Sequence, residues 1–178
     1  ISRNNSCDMV CSLEKEDYVP HISLVIAGVQ GRSIPKIVSL MQEIAYQVKT
    51  IPLHILRIDP AAGERSSDQL IFQPAPALQH LHEITMDKIS PYLQFAGATE
   101  RWFFTDPGEA LSKIPKTYLN DFQKTYAYGR YQPHITLRCT GAEFLPLPVK
   151  QSTASTLALF HVGEGVTCRK MFFSVNLR

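Results

Sequence analysis

Long apolar runs are absent from this sequence of 178 residues. The longest runs, such as Ile22 to Val29, have strand length and fall well short of the ~18 residues that a membrane-spanning helix needs. Residues 1–17 are polar and lack the apolar core of a secretory signal. We therefore expect a protein with no membrane partner.

Cysteine is scarce, and its spacing is irregular. The four residues Cys7, Cys11, Cys139 and Cys168 form no dense framework. Such usage is typical of a chain that keeps free thiols in a reducing, cytoplasmic compartment. Cys7 and Cys11 have the spacing of two zinc ligands, but no second pair follows, so the sequence predicts no metal site here.

Net charge is also small, at +2, and no clustered basic stripe of the kind used by duplex-DNA binders is present. Glycine-rich phosphate loops of the nucleotide-binding type are missing too. These absences exclude duplex DNA as an expected partner. They leave room for RNA ends or small anionic nucleotides.

The spacing of apolar residues predicts a mixture of helices and strands without a regular βαβ repeat. This favours an α+β fold with antiparallel sheets and helices on their outer faces. We expect a partly extended N-terminal segment over residues 1–17 and a single domain over residues 18–178. The predicted helices are Ile34–Val48, with Ser33 as N-cap, Pro76–Phe95, interrupted or ended near Pro91, and Thr117–Tyr128. The predicted strands are Tyr18–Val29, Leu53–Ile58, Gln69–Gln73, Trp102–Thr105, Pro133–Cys139, Thr156–His161 and Cys168–Leu177, the last two forming a hairpin.

A short internal repeat is the most informative feature of the sequence. The heptapeptide Tyr-Val-Pro-His-Ile-Ser-Leu at 18–24 recurs as Tyr-Gln-Pro-His-Ile-Thr-Leu at 131–137. Five of the seven positions are identical, and a sixth exchanges serine for threonine and so retains the hydroxyl. Each copy is expected at the start of a strand.

Alternation along a strand gives the repeated residues two different tasks. Ile22 and Leu24 of the first copy would anchor the strand in a core, while His21 and Ser23 would point to the opposite face. The second copy repeats this pattern. A single His-x-Ser or His-x-Thr is usually structural. Fold duplication explains shared isoleucine, leucine and proline, but a shared histidine and hydroxyl add nothing to a core.

This set of groups can carry out phosphodiester chemistry. The attacking oxygen must lose a proton and the leaving oxygen must gain one, so two imidazoles on opposite sides of phosphorus serve as base and acid. Hydroxyls can donate to the non-bridging oxygens and stabilise the transition state. We therefore predict His21 and His134 as the catalytic pair and Ser23 and Thr136 as phosphate ligands. This scheme needs no metal and no other cofactor.

The paired His-x-Ser/Thr motifs resemble the signature of the 2H phosphoesterase superfamily, which includes 2′-5′ RNA ligase-like proteins and cyclic phosphodiesterases. The resemblance implies a bilobal α+β fold with pseudo-twofold symmetry, in which antiparallel sheets carry the two motifs across a central groove. It assigns the catalytic role to His21 and His134 and phosphate binding to Ser23 and Thr136. One departure is the short stretch before the first motif, where Met9 to Leu13 supplies a strand or the lobe is abbreviated.

Several other residues are weaker candidates. Tyr18 and Tyr131 precede the histidines by three residues and are candidates for base stacking or for packing. Arg138 shares the alternation of His134 and is a candidate phosphate contact. His80 and His82 are interpreted as ordinary surface or partly buried residues, and His54 and His161 as structural residues on strands.

The sequence leaves the reaction open between two classes. The first is a phosphodiesterase that hydrolyses a 2′,3′-cyclic phosphate, a 2′–5′ linkage or a related nucleotide bond. The alternative is a non-catalytic module that binds an AMP-like nucleotide or an RNA end in the same groove. In both cases the expected partner is a nucleotide or RNA end, and the expected state is a monomer.

Overall fold

Three helices and eight strands occupy residues 19–62, 67–137 and 151–178, which are the residues that the computed structural model describes. Several short 3₁₀ turns connect them. The helices are α1 (Ile34–Gln47), α2 (Pro76–Ile89) and α3 (Ile114–Thr125). The strands are β1 (Gly28–Val29), β2 (Ile51–Asp59), β3 (Gln69–Phe72), β4 (Leu93–Gln94), β5 (His134–Thr136), β6 (Gln151–Ala154), β7 (Thr156–Val162) and β8 (Cys168–Asn176).

All strand pairs in the described residues are antiparallel. A four-stranded sheet has the order β5-β3-β2-β6, and the pairs β1-β4 and β7-β8 form two further sheets. The prediction of an α+β fold with antiparallel sheets is therefore confirmed. The predicted C-terminal hairpin is confirmed as β7 and β8.

The helices follow their predicted positions because each has an apolar stripe. Buried residues of α1 recur at helical spacing, from Ile37 to Ala45. Ser33 is its N-cap, but the hydroxyl makes no capping bond, because this residue ends a 3₁₀ turn and already has helical backbone angles. Helix α2 ends at Ile89, where Pro91 lies in a following 3₁₀ turn.

Two strand predictions need correction, and one polar strand was not predicted. Within the described part of Tyr18–Val29, only β1 is strand, and the first motif is irregular backbone. Trp102–Thr105 is no strand, because a 3₁₀ turn ends at Trp102. Strand β6 was not predicted, since its polar sequence has no apolar alternation, yet it pairs with the start of β2.

Two hydrophobic clusters share helix α2. The first joins α1, α2 and β2 with the hairpin, and Leu78, Leu81 and Ile89 belong to it. The second contains Met86 of the same helix and surrounds α3. Helix α2 therefore connects the two clusters.

Candidate functional site

The first motif lies in the irregular segment before β1. The His21 ring is half-buried, and its Nδ1 lies 2.8 Å from the carbonyl oxygen of Val19. Ile22 and Leu24 pack against the first hydrophobic cluster, as the sequence predicts. Ser23 is half-buried beside them.

The second motif includes the short strand β5. Its register with β3 sets His134 opposite Ile71, Ile135 opposite Leu70 and Thr136 opposite Gln69. The His134 Nδ1 lies 2.9 Å from the carbonyl oxygen of Gln132. Ile135 packs against the first cluster, so it has the anchoring task that the alternation predicts.

The two histidines therefore make the same local contact, although one lies in a strand and the other does not. In each case Nδ1 meets the carbonyl of the residue two positions earlier, on the far side of the proline. A carbonyl oxygen can only accept, so Nδ1 must carry the proton. In the neutral ring this tautomer puts the lone pair on Nε2, so Nε2 is the nitrogen of each ring that can accept a hydrogen bond or a proton.

Both motifs also contact His82 on α2. The His82 Nδ1 lies 2.7 Å from the Leu24 carbonyl oxygen of the first motif. Its ring stacks on that of Tyr131, the first residue of the second motif, with 4.2 Å between centroids and 4° between planes. The two heptapeptides thus meet at one buried side chain.

The sequence prediction for His82 was wrong, because this residue is fully buried. A signal for it was present in the spacing. His82 falls on the apolar face of α2, whose buried residues are Leu78, Leu81, His82, Thr85, Met86 and Ile89. An i, i+2 comparison with His80, which is exposed, does not reveal that face.

Burial lowers the pKa of His82, mainly through desolvation of the charged form. The Tyr128 backbone N–H donates to its Nε2 at 2.7 Å, an interaction that requires a neutral ring. Both observations describe a neutral imidazole with its proton on Nδ1.

A cleft of about 610 Å³ lies beside the first motif. His21 and Ser23 are among the described residues that line it, together with Ile135 of the second motif. Most of the other lining side chains are aliphatic, and an anionic phosphate is not stable in such surroundings without donors. His134 and Thr136 are not among the described residues that line this cleft.

Of the weaker candidates, Tyr131 is the one that lies within the described residues. Tyr131 is half-buried, and its hydroxyl is buried without a hydrogen-bond partner among the described residues. Tyr18 and Arg138 lie outside the described residues, as do Cys7, Cys11 and Cys139. Cys168 is a buried free thiol, and burial raises its pKa to about 11.

Two features are absent from residues 19–62, 67–137 and 151–178. No group of three or more histidine, cysteine, aspartate or glutamate side chains there is arranged to hold a metal ion. None of the helices in the same ranges has the length and apolarity that crossing a bilayer requires.

Comparison with known proteins gives a similarity of fold. No family model and no curated protein matches the sequence. The crystal structure of TT0787 from Thermus thermophilus is similar, with a TM-score of 0.52 and 12% sequence identity. The similarity covers 94% of this chain and 86% of that one. At this identity the likeness concerns the fold alone.

Proposed function

We propose that this protein is a metal-independent phosphodiesterase of the 2H type, which hydrolyses 2′,3′-cyclic phosphates or 2′–5′ linkages in RNA or small nucleotides. The observation that carries the proposal is the matched setting of His21 and His134. In both rings Nδ1–H donates to a backbone carbonyl, which leaves the Nε2 lone pair to accept a proton in the proposed reaction. A duplicated fold accounts for the shared proline and aliphatic residues, but it does not account for a shared histidine and hydroxyl, which add nothing to a core.

Hydrolysis of a cyclic phosphate then needs only these two rings and water. One neutral imidazole takes a proton from water at Nε2 as the new P–O bond forms. The other, protonated at Nε2, gives its proton to the ribose oxygen as the old P–O bond breaks. The products are a phosphomonoester and an adjacent hydroxyl, and proton exchange with solvent restores the pair.

The hydroxyls of Ser23 and Thr136 complete the proposed site. Each follows its histidine by two residues, so the two copies offer one donor apiece to the non-bridging oxygens. Donors already in place stabilise the charge that develops on those oxygens without reorganisation during the reaction. The bilobal groove of the 2H type would set the two copies on opposite sides of one phosphorus atom.

Packing supports this arrangement. Ile22, Leu24, Tyr131 and Ile135 all contact the first hydrophobic cluster, so the two motifs share one core. His82 contacts both of them directly. Similarity to TT0787 in fold is consistent with the architecture and says nothing of the reaction.

The test is turnover of 2′,3′-cyclic nucleotides and 2′–5′ oligoadenylate by the purified protein in EDTA. We expect product formation that is insensitive to the chelator, with a bell-shaped dependence of kcat/KM on pH. His21→Ala and His134→Ala should each lower kcat by about 10²–10⁴-fold, the usual contribution of a general acid or base. His54→Ala and His80→Ala are matched controls, because both side chains are exposed and outside the motifs.

Three results would contradict the proposal. Loss of activity in EDTA would indicate metal chemistry. Normal turnover by both motif variants would remove the histidines from the mechanism. Binding of AMP or RNA ends by the wild-type protein without turnover of any of these substrates would favour the non-catalytic alternative.

A further inference from the structure

Helix α2 binds the chain three residues before the second motif begins. Tyr128 has a left-handed backbone, with φ of 56°, which is uncommon for a residue other than glycine. Three side chains of α2 bind it: Gln79 Nε2 donates to its carbonyl oxygen at 3.0 Å, His82 accepts from its N–H, and Asp87 accepts from its hydroxyl at 3.1 Å. The surrounding contacts therefore maintain a backbone that costs free energy.

His82 is the member of this group that reaches the first motif as well. Its Nδ1–H donates to Leu24, its Nε2 accepts from Tyr128, and its ring stacks on Tyr131. Both ring nitrogens therefore form hydrogen bonds. Nδ1 bonds to the last residue of the first motif, and Nε2 bonds to Tyr128, three residues before the second motif. A leucine or phenylalanine would fill the same core position, but neither could make the two hydrogen bonds.

We propose that His82 is a positioning residue, which fixes the first heptapeptide against the second and thereby sets the separation of His21 and His134. The consequence for catalysis rests on the proposed function; the structural part does not. Acid–base transfer requires heavy-atom distances of about 2.6–3.2 Å, so a shift of one motif by about 1 Å lowers the rate strongly.

The test uses side chains that keep different parts of the imidazole. His82→Phe keeps the ring that stacks on Tyr131 and removes both hydrogen bonds. His82→Asn keeps an N–H donor near the position of Nδ1, for the Leu24 carbonyl, and is the conservative variant. Met86→Ala is the matched control for stability, because this fully buried residue lies on the same helix in the second cluster.

The first measurement is the distance between the motifs, and it needs no activity. Val19 and Gln132 occupy the same variable position of the two heptapeptides, and both are exposed. Spin labels at Val19→Cys and Gln132→Cys, with the four native cysteines replaced, report that distance by pulsed electron resonance. We expect one narrow distribution for the parent and for Met86→Ala, and a broad or shifted one for His82→Phe.

The second measurement is steady-state kinetics with a 2′,3′-cyclic nucleotide. We expect His82→Phe to lower kcat about 10- to 100-fold with KM changed less than about threefold, and His82→Asn to recover part of the loss. Met86→Ala should retain kcat at temperatures where it is folded. A KM effect alone, or equal losses in His82→Phe and Met86→Ala, would overturn the positioning role.

The two measurements separate the two proposals. A distance distribution that is unchanged in His82→Phe overturns the inference about His82, whatever the activity. Absence of turnover in the wild-type protein overturns the proposed function, while the distance measurement still decides whether His82 holds the motifs together.

Discussion

At the scale of single residues, the rings of His21 and His134 are each held by a contact within a three-residue segment. The carbonyl that fixes each tautomer belongs to the residue before the proline, two positions before the histidine. The contact is therefore local and does not depend on whether the segment is a strand. This explains how the first motif, in irregular backbone, and the second, in β5, present the same imidazole geometry.

His82 gives a pH-dependent stability. Its pKa in the folded protein is lowered by burial, so between that value and the unfolded value near 6.5 the unfolded chain binds more protons. Glu83 and Asp87 oppose the shift, while Tyr128 and Tyr131 are the other titratable groups against the ring. The stabilisation is present above about pH 6.5 and is lost as the pH falls toward the folded pKa.

The check is the free energy of unfolding measured between pH 5 and 8 for wild-type protein, His82→Gln and His80→Ala. The difference between wild type and His82→Gln should shrink as the pH falls, because only in the wild type does unfolding release a buried neutral ring that then takes up a proton. The difference for His80→Ala should stay constant. A constant difference for His82→Gln would show that the ring does not titrate in this way.

At the scale of secondary structure elements, β1 and β4 are brought together with the turn that precedes Phe103. A Cβ added to Gly28 in β1 would lie 2.1 Å from a ring carbon of Trp102, so glycine is required by the close approach of the indole. The Trp102 carbonyl oxygen accepts from His161 Nε2 at 3.1 Å, which ties this turn to β7. Gly28 therefore lets β1 approach the turn that ends at Trp102, and the Trp102 carbonyl joins that turn to β7.

Gly28→Ala should lower the free energy of unfolding by about 1–3 kcal/mol, the usual cost of overpacking. Gly31→Ala is the control, since nothing lies within 4 Å of its added Cβ, and it should change stability by less than about 0.5 kcal/mol. Urea unfolding monitored by far-UV circular dichroism measures both. In a double-mutant cycle, Trp102→Leu should relieve part of the Gly28→Ala cost. Full additivity would contradict the contact.

At the scale of the whole molecule, α2 makes the two hydrophobic clusters interdependent. Leu78 and Leu81 belong to the first cluster, and Met86, five residues after Leu81, belongs to the second. A helix cannot leave one cluster and keep its place in the other. We therefore expect the two clusters to unfold together.

The measurement is urea unfolding followed both by circular dichroism and by fluorescence of Trp102, the one tryptophan, which packs against the second cluster. The two midpoints should coincide. Met86→Ala should lower both midpoints together and reduce the free energy of unfolding by about 2–5 kcal/mol. Gln123→Ala, at an exposed position, should change neither midpoint. Separate midpoints, or a Met86→Ala effect seen by fluorescence alone, would show independent clusters.

The sequence alone determined the features that depend on neighbouring residues. Helical spacing placed all three helices, alternating apolar residues with two glycines gave the hairpin, and the heptapeptide repeat selected His21 and His134 as the candidate site. These signals are local, because a helix needs only its own hydrogen bonds and a buried stripe. The α+β class followed from their order.

Tertiary structure decided the rest. Whether the first motif is a strand depends on a partner at its edge, and the Leu24 carbonyl instead accepts from a side chain of α2. Strand β6 is polar and exists because the start of β2 offers it hydrogen bonds. His82 meets Leu24 and Tyr128 across many intervening residues, and such contacts leave no periodic trace in a sequence, because their energy comes from partners that only folding brings into reach.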